Sequence, residues 1–200
     1  MSTPKIYNGG ITREQFLYFE MRIISKYKLQ GYSNEEILKI AYDDNILEMP
    51  TEKSIGLLTR ACLRRLDNCP ESLTELIANA SPEIAKQANL YAMMCQNLLV
   101  WEFMINVIGK KFAMQDLSFS KKDVNVYLTK LKEQQEQIST WSESTFNKIR
   151  SVLIRILTDT GYLDNIKSEK LNPVYLFEEL EEVIIKNNDE VVLPAFNRFI

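Results

Sequence analysis

An all-α fold is what this sequence predicts, with helix-turn-helix-like and winged-helix-like units around a long central helix and at most one small β-hairpin. Three observations carry that expectation. Six glycines and six prolines in 200 residues leave little material for the many tight turns of a sandwich or barrel. Helix-start signatures of the Ser/Thr-x-x-Glu/Gln type recur ahead of apolar positions at helical spacing. Residues 81–112, SPEIAKQANLYAMMCQNLLVWEFMINVIGKKF, place apolar groups on every side of a helical wheel, so a helix there has to be covered on every side.

Taken in order, Gly9 and Gly10 end a short leader, and Thr12-x-x-Gln15 predicts a capping box for a helix to about Leu29. Its core positions are Phe16, Phe19, Ile23, Ile24 and Tyr27, and Gly31 stops it. Ser33-x-x-Glu36 is a second capping box, opening a short helix through Ile37, Leu38, Ala41 and Tyr42. After a loop over residues 43–50, Thr51 caps a third helix to about Leu66. A short helix, a break and a longer basic helix are the layout of a helix-turn-helix unit, although this loop exceeds the tight turn of the strictest form. Pro70 precedes a small helix over residues 73–79. Ser81 and Pro82 then suit the N-cap and first position of the central helix, which at ~1.5 Å per residue is about 45 Å long. Trp101 is expected inside it as packing.

Residues 113–119 read as a loop, and Ser120 opens a helix that loses its apolar stripe in the polar run 132–137. Thr140-x-x-Glu143 predicts another capping box for a helix to about Thr160, where Gly161 stops it. Residues 162–166 and 170–174 flank a charged turn and read as the two arms of a wing. The last helix, over about 174–186, carries Glu178, Glu179, Glu181 and Glu182. From residue 173 onward six acids face two bases, so this segment is expected to point away from nucleic acid or to meet a basic partner. The organisation expected is a unit over 1–80, the central helix over 81–112, and a C-terminal unit over 113–200.

Composition narrows the function. The net charge of −3 argues against coating nucleic acid by bulk charge, so any such site must be local. There is no histidine, which removes the commonest general base and the usual zinc ligand, and no glycine-rich phosphate loop follows a strand. No catalytic residue, metal site or cofactor site is therefore expected. Cys62, Cys69 and Cys95 lack CxxC spacing and read as reduced thiols of a cytoplasmic protein. A membrane span needs roughly 20 mainly apolar residues. The longest uncharged run inside the central stretch, residues 87–101, is shorter and contains Gln87, Asn89, Gln96 and Asn97.

Positive charge is arranged on two helices. Residues 53–66 hold Lys53, Arg60, Arg64 and Arg65 and no acid. At about 100° per residue, Lys53, Arg60 and Arg64 fall in line, while Leu58, Cys62 and Leu66 gather on the opposite side. Residues 144–158 repeat the pattern: Phe146, Ile149, Leu153 and Leu157 form one face, and Ser144, Asn147, Lys148, Ser151 and Arg155 share the other. Cations, hydroxyls and an amide are the groups that contact phosphates and base edges. These nine residues, Arg65 included, are the expected DNA contacts. RNA modules stack unpaired bases on exposed aromatics, and neither basic face carries one in the sequence, which favours duplex DNA over RNA. A protein adaptor is the other alternative, suggested by the near-neutral charge and acidic C-terminal segment. The oligomeric state is left open.

Four blocks, GGITREQFLYFEMRIISKY, PTEKSIGLLTRACLRRL, AKQANLYAMMCQNLLVWEFM and TWSESTFNKIRSVLIRILTDTGYL, span most of residues 9 to 163 in an order that resembles the BrxA family of bacterial BREX phage-exclusion systems. They are diffuse helical motifs without a catalytic signature. The resemblance implies an all-helical, non-enzymatic, DNA-binding accessory protein, similar to the antitermination factor NusB and working with other BREX subunits. It assigns no functional residue, so the site residues rest on the physical pattern alone.

Overall fold

The structure is a computed structural model that describes residues 7–199. These residues are helical throughout their regular structure, and the chain divides into two compact units: residues 16–96, and residues 7–15 together with 97–199. The division falls inside the stretch expected to be one continuous helix.

In the first unit, α1 (Tyr18–Leu29), α2 (Asn34–Asp44), α3 (Glu52–Leu66), α4 (Glu71–Asn79) and α5 (Pro82–Gln96) follow one another through short connections. α1 packs on α4, α4 on α5, and α2 on α3, around a core that includes Met21, Ile24, Ile37, Leu73, Ile77 and Leu90. The α2 capping box forms as expected: Ser33 Oγ accepts from the Glu36 N–H at 3.2 Å, and Glu36 Oε2 from the Ser33 N–H at 2.8 Å. Thr51 caps α3 by accepting from the Ser54 N–H at 3.2 Å. The start of α1 differs from expectation. Residues Gly9–Thr12 make a 3-10 turn in which the Thr12 hydroxyl donates to Gly9 O at 2.8 Å, and α1 begins only after Leu17 at φ 52°.

The second unit starts where the central stretch breaks. Asn97 is extended (φ −127°, ψ 112°), and its Oδ1 accepts from the N–H groups of Leu99 and Val100 at 3.0 and 3.4 Å, capping a new helix, α6 (Leu98–Phe103). Asparagine side chains compete with the helix for backbone hydrogen bonds, and here the competition ends one helix and begins another. A π-helix (Met104–Gly109) and α7 (Lys110–Ala113) continue the chain. Leu99, Val100, Phe103 and Met104 are buried, whereas Trp101, the expected core residue, is half-buried.

α8 (Lys121–Gln134) opens with a Ser120–Asp123 capping box, and α9 (Glu136–Ser139) is a single turn. α10 (Glu143–Asp159) is capped by Ser142, whose Oγ accepts from the Thr145 N–H at 3.2 Å; the Thr140 hydroxyl expected there donates to Gln137 O at 2.8 Å instead. Gly161 stops α10 at φ 82°, as expected. The expected hairpin wing does not form as a ladder. Among the described residues the only β pairing is one antiparallel bridge between Ser118 and Lys170, with Phe119 N–H on Glu169 O at 2.9 Å and Leu171 N–H on Leu117 O at 2.7 Å. The second expected arm thus pairs with residues 117–119. A single backbone bond, Asn172 N–H to Tyr162 O at 2.8 Å, links it to the first arm. Pro173 removes the next donor in line.

α11 (Glu178–Lys186) begins after residues 173–177, which are not helical, and a 3-10 turn (Glu190–Phe196) follows it. That turn lies on the π-helix at backbone distance. A Cβ at Gly109 would sit 3.1 Å from Ala195 N and 3.2 Å from Pro194 C, so glycine permits the approach. The Tyr162 hydroxyl donates to Ala195 O at 2.9 Å from a fully buried ring, and that burial raises its pKa.

Candidate nucleic-acid interface

On α3, Lys53, Arg60 and Arg64 are exposed along one face, while Ile55, Cys62 and Leu66 are buried on the other. Leu57 belongs to the same open stripe, four residues after Lys53, and is 39% exposed. An apolar group among cations can meet a thymine methyl, so Leu57 joins the candidate surface. Its spacing was visible in the sequence; its hydrophobicity concealed it.

Tyr42, from α2, joins the same surface. Its hydroxyl accepts from Arg60 Nη1 at 3.5 Å, and the ring end rests over Gly56 on α3. A Cβ at position 56 would overlap the Tyr42 hydroxyl and fall 2.7 Å from the Arg60 guanidinium, so the glycine is what lets the aromatic lie across the basic helix. The expectation that neither basic face carries an aromatic is corrected here. A wheel of α3 alone cannot show a ring that arrives from the neighbouring helix.

Arg65 is a second correction. Expected among the DNA contacts, it is 1% exposed and points into the core of the first unit. Its Nη1 donates to Phe16 O at 2.9 Å and to Asn89 Oδ1 at 3.1 Å, and its Nε to Gln96 Oε1 at 3.3 Å. Its place one step round the wheel from Arg64 is enough to turn it inward, and buried carbonyl oxygens satisfy the guanidinium there.

On α10, in the second unit, Ser144, Asn147, Lys148, Ser151 and Arg155 are all exposed, opposite buried Phe146, Ile149, Leu153 and Leu157. The polar groups have local partners. Ser144 and Ser142 hydroxyls are 2.8 Å apart, Ser151 donates to Asn147 O at 3.0 Å, and Arg150 Nη1 donates to Asn147 Oδ1 at 2.7 Å. Lys148 and Arg155 have no ion pair among the described residues. Each unit therefore carries one helix with an outward cationic face. Among the described residues no single helix is long and apolar enough to cross a membrane, and no three His, Cys, Asp or Glu side chains gather as a metal-binding group.

A family model described as BrxA matches residues 5–188. A "BREX protein BrxA" of Bacillus cereus (strain H3081.97) is 29% identical over 170 residues, covering 85% of each chain. A "BREX protein BrxA" of Paramagnetospirillum magneticum (strain ATCC 700264 / AMB-1) is 24% identical over 96% of each chain. Among solved structures, that of an uncharacterized protein from Magnetospirillum magneticum aligns with a TM-score of 0.81 at 24% identity, covering 96% of this chain and 98% of the other, which shows the shared fold.

Proposed function

The chain belongs to the BrxA family of BREX phage-defence systems, and from that premise we propose that it is a non-catalytic component that binds duplex DNA through α3 and α10. One observation carries the proposal. Lys53, Arg60 and Arg64 on α3, and Lys148 and Arg155 on α10, are exposed on helix faces whose opposite sides are buried. A cationic face on a rigid helix follows a phosphate backbone, and an arginine on it can grip guanine through two hydrogen bonds. Lys53, Arg60, Arg64, Lys148 and Arg155 neutralise phosphates; Tyr42, Leu57, Ser144, Asn147 and Ser151 supply the polar and apolar contacts between them. α2, its loop and α3 act as a helix-turn-helix-like unit. α8, α10 and the bridged segments at 118 and 170 act as a winged-helix-like one.

An RNA reading gains from Tyr42, whose ring is 38% exposed beside Arg60. One tyrosine against five cations and two helix faces keeps duplex DNA ahead, because RNA modules stack several unpaired bases. The test is a gel shift on duplex DNA, single-stranded DNA and RNA across a salt series, with Arg60→Glu/Arg64→Glu and Lys148→Glu/Arg155→Glu. Each pair should weaken duplex binding and lower the salt slope by roughly 0.9 per lost phosphate contact. Wild-type affinity and slope in both pairs would remove the proposed site and leave the adaptor role.

A further inference from the structure

A groove of about 750 Å3 opens in the second unit between two helical ridges. Asn106 on the π-helix, Lys110 on α7 and Met114 at the C-cap of α7 form one ridge, at four-residue steps; Lys122, Val126 and Lys130 form the other, on α8. Residues four apart make a continuous ridge on a helix, and the trough between two ridges is the shape a third helix fills. All six side chains are exposed, Met114 at 79% and Val126 at 45%. Methionine is over-used where one protein surface receives another, and a π-helix recurs at functional sites.

Charge in the groove is sorted by depth. Three carboxylates line it, and all three are already engaged. Glu102 accepts from the Tyr7 hydroxyl at 2.6 Å. Asp116 and Asp123 hold Lys111 at 2.9 and 3.2 Å, and they also accept from Ser118 and Ser120. The Ser118 hydroxyl, with Lys111 behind it, keeps the Asp116 carboxyl down at about 2. The ammonium groups of Lys110, Lys122 and Lys130 stand outside this network, with no ion pair or hydrogen bond among the described residues. The outward face of the groove is therefore cationic and apolar, and its most exposed carboxylate, Asp116, is already held by Lys111 and Ser118.

We infer that this groove docks one amphipathic α-helix of a partner protein, with Asp or Glu alternating with aliphatic side chains on the face it inserts. The α8 wall from Lys122 to Gln134 spans about 18 Å at ~1.5 Å per residue, which is room for roughly three turns. Nucleic acid fits less well. The ridges hold no arginine or hydroxyl, and two of their six positions are exposed hydrophobics. A second copy fits less well too. The acidic helix α11 buries Leu180, Val183 and Ile184 within its own unit, which leaves it few apolar groups to insert.

Fluorescence anisotropy on the full chain tests this, using a labelled 15-residue helical peptide with Leu at i, i+4, i+7 and i+11 flanked by Glu, and its twin with Lys in place of Glu. The Glu peptide should bind saturably and the Lys peptide should not. Lys110→Glu/Lys122→Glu/Lys130→Glu should weaken the Glu peptide at least tenfold and transfer binding to the Lys peptide, at an unchanged melting temperature. Val126→Lys, which keeps every cation, should weaken the Glu peptide as well, and it carries the test if the triple variant folds poorly. Equal affinity of the Glu peptide for wild type and both variants, or none for wild type, overturns the inference. It is overturned too if a peptide of residues 175–189 binds as tightly and the protein self-associates, which makes the occupant a second copy. The same holds if the triple variant loses duplex DNA as severely as Arg60→Glu/Arg64→Glu, which makes the lysines phosphate contacts.

Discussion

Arg65 and Asn89 converge on one backbone carbonyl: Arg65 Nη1 and Asn89 Nδ2 donate to Phe16 O at 2.9 and 2.8 Å, while Arg65 also donates to Asn89 Oδ1 at 3.1 Å. Phe16 immediately precedes Leu17, whose left-handed backbone starts α1 without a side-chain cap. A helix from the middle of the first unit and one from its end thereby hold the point where α1 begins.

Arg65→Ala should cost on the order of 3–5 kcal/mol, because it leaves a buried carbonyl and a buried amide short of a donor and opens a cavity. Arg64→Ala, one residue earlier and exposed, should stay within about 0.5 kcal/mol of wild type. Urea denaturation of both variants checks this, and similar midpoints would contradict the placement of Arg65.

Gly56→Ala should separate stability from binding. The new methyl displaces the ends of two flexible side chains, Tyr42 and Arg60, while the helix gains up to ~1 kcal/mol from replacing an interior glycine. The melting temperature should hold or rise while duplex affinity falls. Tyr42→Ala should leave Arg60 in place and lose less affinity than Gly56→Ala. A drop in melting temperature with unchanged binding would argue that Gly56 serves packing alone.

Cys69 should be inert in the folded protein. Burial, with Cys95 nearby, pushes its thiol up to about 12 against the opposing pull of Arg65, and its Sγ donates to Arg65 O at 3.1 Å. Only the thiolate attacks an alkylating reagent. Brief iodoacetamide treatment at pH 8, followed by peptide mapping, should leave Cys69 unmodified in native protein and fully modified in guanidinium. Comparable labelling in both states would refute the suppressed thiolate of this half-buried cysteine.

Much of the fold was legible because helix starts are local. The Ser33–Glu36 box, the Thr51 cap and the Gly31 and Gly161 stops depend on residues a few positions apart, and each forms. Where a second hydroxyl or amide competes, the local signal misleads. Thr12 and Thr140 bond backward to Gly9 and Gln137, and Asn97 breaks an apolar run by binding the backbone ahead of it. The candidate surface was legible to the extent that a helical wheel could show it. Lys53, Arg60, Arg64, Lys148 and Arg155 lie outward, but the wheel could place neither Arg65, drawn inward by Phe16 and Asn89, nor Tyr42, brought in by α2.

The second unit is assembled from two stretches of chain that are not adjacent in sequence. Asn97 Nδ2 donates to Asn8 Oδ1 at 3.1 Å, Gln137 Nε2 to Tyr7 O at 3.2 Å, and Tyr7 to Glu102. On the ribosome, Tyr7 and Asn8 emerge before Asn97 and Glu102, and their set of bonds is not complete until Gln137 has been synthesised. The first unit, residues 16–96, is complete well before then and can fold while its neighbour waits. At roughly 5–20 residues per second that wait lasts several seconds, and it gives the two units a fixed order of birth. Removing residues 7–15 should therefore spare the earlier-folding unit and damage the later one, although the deletion lies at the far end of the chain from the helices it harms.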